Sequence, residues 1–287
     1  MKAILAVSAL LMTAACSSST PISPSPQPAP AAPSAPVAPA SITVTATLTN
    51  TVTGAVIGSS VQDVTSLPAQ LTIAQAGYVT RQTWVSSAEP RIDLFPEAGF
   101  DLGFFRQFAR GALAGRMDRL RVLAQSPSFY MEVEGAKGLS SAVAARFELV
   151  ARRMVPELTG GRFQMTRWET GTTTRAPQAG WITIVRQDES GICGKAQVGA
   201  VAGQIWIGAD AGCQSERAFA HELGHAFGFM HVDRTGTLLH PTGWGTPELS
   251  PIERHHAALA YTRLPGNTDV DSDPRVPSAF QTMMVVD

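Results

Sequence analysis

Five residues within one short stretch have the types and the spacing that metal-assisted hydrolysis requires. His221 and His225 are four residues apart, so on a helix their side chains project from the same face. Gly228 allows a sharp exit from such a helix, which would bring His231 back toward the first two histidines. Three imidazoles with one open position form the ligand set of a catalytic zinc, and Glu222 would stand beside it as a carboxylate. The pattern predicts a metal site on a helix with a base next to it.

The order of these residues, H-E-x-x-H-x-x-G-x-x-H, resembles the active-site signature of the metzincin metalloproteases. The resemblance implies a Zn²⁺ cofactor bound by His221, His225 and His231, and a peptide or protein substrate. It also implies that Glu222 is the catalytic general base and that Gly228 forms the turn after the zinc helix. The alternative is a buried helix whose histidines are satisfied core residues, but a third histidine at the required spacing favours the metal site.

The segment that follows is similar to the matrixin branch of this family. Matrixins often have Leu-Met-Tyr-Pro at a tight turn beneath the zinc, and this chain has Leu238-Leu239-His240-Pro241. Leu239 therefore takes the Met-turn position. Because that side chain forms an apolar floor and is not a ligand, and because Leu is close to Met in volume, we expect the replacement to be mild.

Another helix is predicted over residues 252–262, behind the site. Ser250 and Glu253 form the pattern of a capping box at its start. His255 and His256 lie on this helix, but adjacent residues face different directions, so they are poorly placed to bind one metal. A packing or surface role is favoured for both.

The N-terminus is typical of an exported protein. Residues 1–15 combine Lys2, a short apolar run and small residues, as in a secretory signal peptide. The sequence up to Cys16 resembles a bacterial lipobox, which implies that Cys16 becomes the lipidated first residue of the mature protein. We expect a lipid anchor in the cell envelope, on the outer membrane if the host is Gram-negative. The alternative is ordinary signal cleavage and secretion.

Residues 16–40 combine this anchor with a linker. The stretch is almost wholly Ser, Pro, Ala and Gln, so it has little apolar area to bury and tends toward extended polyproline geometry. We expect it to hold the folded part of the chain away from the membrane.

The overall charge restricts the partners. The formal net charge is −1, which argues against binding to nucleic acid or to an anionic membrane surface. We therefore expect no nucleic-acid partner and membrane contact only through the lipid anchor. The oligomeric state is not determined by the sequence.

The chain has three cysteines, and the expected export would place them in an oxidising compartment. With Cys16 assigned to the lipid, Cys193 and Cys213 remain as an even pair. We expect a disulfide between them just ahead of the motif helix. The alternatives are a thiol that binds the metal or two free buried cysteines.

Residues 41–97 predict a small all-β sandwich module. Short stretches of β-branched and apolar residues alternate with turn formers such as Asn50, Gly54, Pro68 and Gly77. The stretch resembles the carboxypeptidase-regulatory or PEGA type of extracellular β module, which implies a spacer or surface-binding role.

Residues 98–264 resemble a metzincin-type catalytic domain, which implies an α/β (α+β) fold with a mixed, mostly parallel sheet. Residues 100–124 favour one or two amphipathic helices, interrupted at Gly111 and Gly115. Downstream, the patterns predict a helix over 139–158, strands over 129–133, 162–169, 181–186 and 204–208, and an edge strand over 197–201. The remaining residues, 265–287, carry alternating aspartates and are predicted to form a solvated C-terminal tail.

These observations favour a zinc-dependent endopeptidase that hydrolyses extracytoplasmic proteins or peptides. Two alternatives remain open from the sequence. One is a catalytically impaired, metalloprotease-like protein that binds or adheres at the surface, for which Leu239 is the only hint. The other is a zinc hydrolase that acts on a non-peptide substrate.

Overall fold

A computed structural model describes residues 40–115, 117–189, 191–242, 245–280 and 285–286, the last two by their backbone only. The predicted signal peptide, the lipidation site Cys16 and nearly all of the linker lie outside these residues. Among the described residues, no helix has the length and apolar character needed to cross a bilayer.

The N-terminal part consists of strands only, as predicted for the β module. The strands are β1 (Ile42–Asn50), β2 (Val56–Val64), β3 (Ala69–Ile73), β4 (Arg81–Val85) and β5 (Arg91–Leu94). Strand β1 pairs with β2 in antiparallel fashion and with β5 in parallel, while β3 and β4 form a separate hairpin. Alternate residues of β1, β3, β4 and β5 point inward and share one small hydrophobic core.

The rest of the chain forms a mixed α/β structure around a six-stranded sheet. Its strands are β6 (Ser128–Glu132), β7 (Arg167–Gly171), β8 (Trp181–Gln187), β9 (Gly194–Gln197), β10 (Gly203–Gly208) and β11 (Val285–Val286), and their order is β11-β9-β10-β8-β6-β7. The four strands β7, β6, β8 and β10 are parallel, whereas β9 runs antiparallel to β10, and β11 antiparallel to β9. The expected mixed, mostly parallel sheet is therefore present.

Helices cover this sheet and carry the motif. They are α1 (Leu102–Arg110), α2 (Ser141–Leu158), α3 (Glu216–Ala226) and α4 (Pro251–Ala260). Helices α2 and α3 meet through Phe147 and Phe219, whose rings stack with centroids 4.3 Å apart. Helix α1 contacts the segment after α3 through Phe108 and Phe229, whose stacked rings are 4.2 Å apart. Aromatic packing thus holds both the motif helix and the segment that follows it.

Two strands lie away from their predicted positions, for local reasons. The strand predicted over 162–169 begins only at Arg167, because Phe163 N–H still donates to the Thr159 hydroxyl and completes the end of α2. The edge strand predicted over 197–201 is instead Gly194–Gln197. It ends where Gly199 takes a φ of +57° and turns the chain away.

The tail predicted to be solvated is partly buried, which corrects the expectation for 265–287. Asn267, Asp271 and Asp273 are almost fully inaccessible. Asp271 accepts hydrogen bonds of 2.7 and 2.8 Å from Arg263, and Asp273 accepts one of 2.6 Å from Arg81. Alternating aspartates are typical of exposed segments, but here the nearby Arg263 and the distant Arg81 supply the partners that make burial possible.

This buried ionic network links the tail to the β module. Asp93, at the end of β5, contacts both Arg81 and Arg263. Asn267 donates to Asp271 at 3.0 Å and to Asp273 at 2.9 Å. Residues from three separate parts of the chain therefore meet around two guanidinium groups.

Replacing Arg263 by Met should lower the free energy of unfolding by about 3–5 kcal/mol, because the buried Asp271 would lose its counter-charge. Denaturant unfolding measures this. Arg254→Met is the matched control, since Arg254 pairs with Glu157 at the surface and its loss should cost about 1 kcal/mol or less. Equal losses in the two variants would contradict the assignment.

Acid should destabilise the protein through the same network. Burial alone would raise the pKa of Asp273, but the charge and hydrogen bond of Arg81 outweigh it and lower that pKa below its ordinary 3.8. A carboxyl with a lowered folded-state pKa contributes stability that is complete above its unfolded pKa and is lost as the pH falls below it. Below about pH 4 the unfolding free energy of the wild type should fall more steeply than that of Asp273→Asn. Equal slopes would argue against this account.

Candidate metal centre

Helix α3 carries the first two histidines of the motif. It begins after Ser215, whose side chain caps the helix by accepting a hydrogen bond from Ala218 N–H. His221 and His225 lie one turn apart on the face turned toward the cleft, and both are buried. The helix ends at Ala226, and the chain then reverses toward His231.

Gly228 makes this reversal possible for two independent reasons. Its φ is +100°, a conformation that other residues rarely adopt. A Cβ atom at this position would also lie 2.6 Å from the carbonyl oxygen of Arg121. Any side chain here would push the turn away and move His231 with it, so the structure confirms the predicted turn.

The three histidines converge on one point. The Nε2 atoms of His221 and His231 are 3.0 Å apart, those of His221 and His225 are 3.1 Å apart, and those of His225 and His231 are 3.2 Å apart. Nitrogens that share a tetrahedral ion at 2.0–2.1 Å are about 3.3 Å apart. The cluster is therefore of the right size to hold a metal ion.

The protonation of two of the rings is fixed by their second nitrogens. His221 Nδ1 donates to the carbonyl of Leu238 and His225 Nδ1 donates to that of Phe229, each at 2.7 Å. Their Nε2 atoms therefore carry the free lone pairs. Burial lowers the pKa of His221 to about 4 and that of His225 well below its ordinary value. Both rings are neutral at physiological pH, which is the form that binds a metal.

Glu222 lies between α3 and strand β9. Its side chain is buried, and a Cβ atom on Gly194 would come within 2.6 Å of its Oε1 atom. Glycine at this position of β9 therefore leaves room for the carboxylate. Glu222 lines a cleft of about 920 Å³ together with His221 and His231, while His225 is fully buried behind them.

The rim of this cleft is held by a disulfide. Cys193 and Cys213 are bonded, with their Cα atoms 4.6 Å apart, as the sequence predicted. Cys193 directly precedes β9, and Cys213 lies two residues before the cap of α3. The bond thus ties the strand next to Glu222 to the start of the helix that carries the histidines.

Leu239, which the matrixin resemblance assigned to the Met-turn position, packs against helix α3. It is fully buried, and a Cβ atom on Gly224 of α3 would lie 2.8 Å from its Cδ2 atom. Sequence reasoning missed this role of Gly224 in allowing the close approach. It also treated Glu253 only as a capping residue, whereas the Glu253 carboxylate accepts hydrogen bonds from the backbone N–H groups of Leu238 and Leu239.

The two histidines of α4 lie outside the metal cluster. His256 is almost fully buried, donates from Nδ1 to Ile252 O at 2.8 Å and accepts from Asp101 N–H at 3.1 Å. It stacks on Phe100. Its role is packing, as expected, and His255 is not among the residues that could share a metal.

Comparison with known proteins adds no relative. No protein-family model matches this chain, and no curated protein matches it either. What the site can do therefore follows from its own donor atoms and geometry.

Proposed function

We propose that this protein is a zinc-dependent endopeptidase of the metzincin type, close to the matrixin branch. The observation that carries the proposal is the convergence of three imidazole Nε2 atoms within 3.2 Å beside a carboxylate in an open cleft. The ligand set is all nitrogen, which suits zinc and argues against calcium or magnesium, whose ligands are oxygens.

The chain's own residues divide the work of peptide hydrolysis. A zinc ion held by His221, His225 and His231 would supply Lewis acidity to the carbonyl and would lower the pKa of a bound water. Glu222 accepts the proton of the attacking water and returns it to the leaving amide nitrogen. Burial between α3 and β9 holds this carboxylate in position, so little reorganisation is needed during the reaction.

An extended peptide fits the wall of the cleft. Strand β9 borders it, and an antiparallel peptide could add to the outer edge of β9 through backbone hydrogen bonds. Strand β11 pairs with this edge only at Ala196 and Gln197. Gly194 and Lys195, the end nearer Glu222, have no strand partner there among the described residues. A substrate extending past Lys195 would have to displace β11.

The alternative of an impaired surface-binding protein receives less support. Its only hint was Leu239 in place of Met, and Leu239 is fully buried against α3.

We also propose that the protein acts outside the cytoplasm, anchored through Cys16, in keeping with the Cys193–Cys213 disulfide. The β module is proposed to serve as a spacer or surface-binding unit.

Glu222→Gln tests the mechanism directly. Loss of the base should lower kcat/KM on a peptide library by about 10²- to 10⁴-fold while zinc content stays near one ion per chain. His225→Ala should lose both zinc and activity, and a chelator should silence the wild type until zinc is restored. Elemental analysis and peptide cleavage measure these outcomes. Full activity in Glu222→Gln would refute the mechanism, and a wild type that binds no zinc would refute the proposal.

Gly194→Ala tests the position of the base. The added methyl group would overlap the Glu222 carboxylate, so kcat should fall by about tenfold or more with zinc retained. Gly212→Ala is the matched control, because Gly212 lines the same cleft and a Cβ atom there meets nothing within 4 Å. Equal activity in the two variants would show that the Glu222 position does not depend on Gly194.

A further inference from the structure

Arg217 lines the same cleft, one turn before His221 on α3. Its Nη2 atom donates to the carbonyl of Leu238 at 3.0 Å, and the same carbonyl accepts from His221 Nδ1 at 2.7 Å. The shared acceptor places the guanidinium group next to a metal ligand. It also restrains the side chain, so that less entropy is lost when it binds a ligand.

The positive charge of Arg217 lacks an ion-pair partner among the described residues. The carboxylate whose charge acts on Arg217 is that of Glu253, which is not in ion-pair contact with it and already accepts from Leu238 N–H, Leu239 N–H, Ser250 N–H and the Ser250 hydroxyl. A guanidinium group offers five N–H donors, and among the described residues Arg217 uses them for one hydrogen bond, from Nη2 to Leu238 O. Because the side chain lines the cleft, its remaining terminal donors can take an acceptor from a ligand.

The surroundings leave room for such a ligand. The other residues of the cleft are mainly small or apolar, including Gly191, Ile192, Gly212, Ala218 and Pro241. Apart from Glu222 and the histidines, Arg217 is the single charged residue lining the cleft in the described part of the chain. Glu222 lies against β9, whereas Arg217 is bonded to the segment at Leu238, so the two opposite charges face different walls.

We infer that Arg217 determines specificity, selecting substrates with an aspartate or glutamate side chain next to the scissile bond. The planar guanidinium group matches a carboxylate in a bidentate arrangement, and the partly buried site strengthens that pair relative to water. This inference rests on the proposed peptidase function and names its substrate class. The alternative source of the same chemistry is the free C-terminal carboxylate of a short peptide.

The test compares matched peptides within each enzyme. In the first set of peptides the C-termini are amidated, and Glu, Gln, Asp or Asn is placed at each of the two positions that flank a cleaved bond. One further Gln peptide ends next to that bond and has a free C-terminal carboxylate. The wild type should cleave Glu over Gln with a kcat/KM ratio of about 10- to 100-fold. Because the ratio is taken within one protein, any change in overall turnover cancels.

Variants of Arg217 should change this ratio in a graded way. Arg217→Gln should bring the ratio to about 1, Arg217→Lys should retain part of it, and Arg217→Glu should favour a Lys peptide. Arg146→Gln is the control, since exposed Arg146 also donates to a backbone carbonyl, that of Gln214, but lies outside the cleft. It should keep the wild-type ratio, and zinc content is measured in every variant.

The outcomes separate the two proposals. If the wild type cleaves peptides without preferring acidic residues, the inference about Arg217 is wrong and the peptidase function stands. A preference confined to the free-acid peptide also overturns it. If the zinc-loaded wild type cleaves no peptide in the library, the proposed function itself fails.

Discussion

Three nitrogen lone pairs that point at one another repel unless a cation lies between them, so the protein has to hold them there by other contacts. The carbonyls of Leu238 and Phe229 do this for His221 and His225 by accepting from their Nδ1 atoms. The second of these carbonyls belongs to the turn that Gly228 creates. The geometry of the metal centre therefore depends on backbone segments that come after the motif helix, and those segments must themselves be fixed.

Hydrogen bonds hold nearly every residue of the segment after the motif helix in place. Phe229 N–H donates to Gly224 O at 3.1 Å, Met230 N–H to Phe108 O at 2.7 Å, and Val232 N–H to Leu239 O at 3.1 Å. Tyr261, at the end of α4, donates its hydroxyl to Phe227 O at 2.9 Å. Burial raises the pKa of this hydroxyl, so it stays a donor. These contacts therefore help to hold the three imidazoles at the spacing that a metal ion would require.

The sequence predicted the parts of the site that depend on local spacing. The i, i+4 pair, the cap at Ser250 and the turn at Gly228 each follow from residues a few positions apart. The Cys193–Cys213 pair followed from the cysteine count and the expected oxidising compartment. The sequence alone did not predict which side chains from distant segments contact one another.

The tail shows why these contacts were missed. Asp273 lies 192 residues from its partner Arg81, and nothing in the alternation of aspartates distinguishes a buried carboxylate from a solvated one. The contact between Gly194 and Glu222 could not be predicted for the same reason. A glycine in a strand can indicate a close approach, but it does not identify the residue that packs against it.

Strand β9 contributes both to the cleft and to the pairing of the C-terminal strand. Gly194 leaves space for the Glu222 carboxylate, the preceding Cys193 ties the strand to the start of α3, and Ala196 and Gln197 pair with β11. In a strand of only four residues, a shift of register at one end moves the other end as well, since successive positions share one pleat. The position of Glu222, the rim of the cleft and the pairing of the C-terminal strand are therefore coupled through a single short element. Removal of β11 would act on the cleft through this strand, even though β11 pairs with its far end.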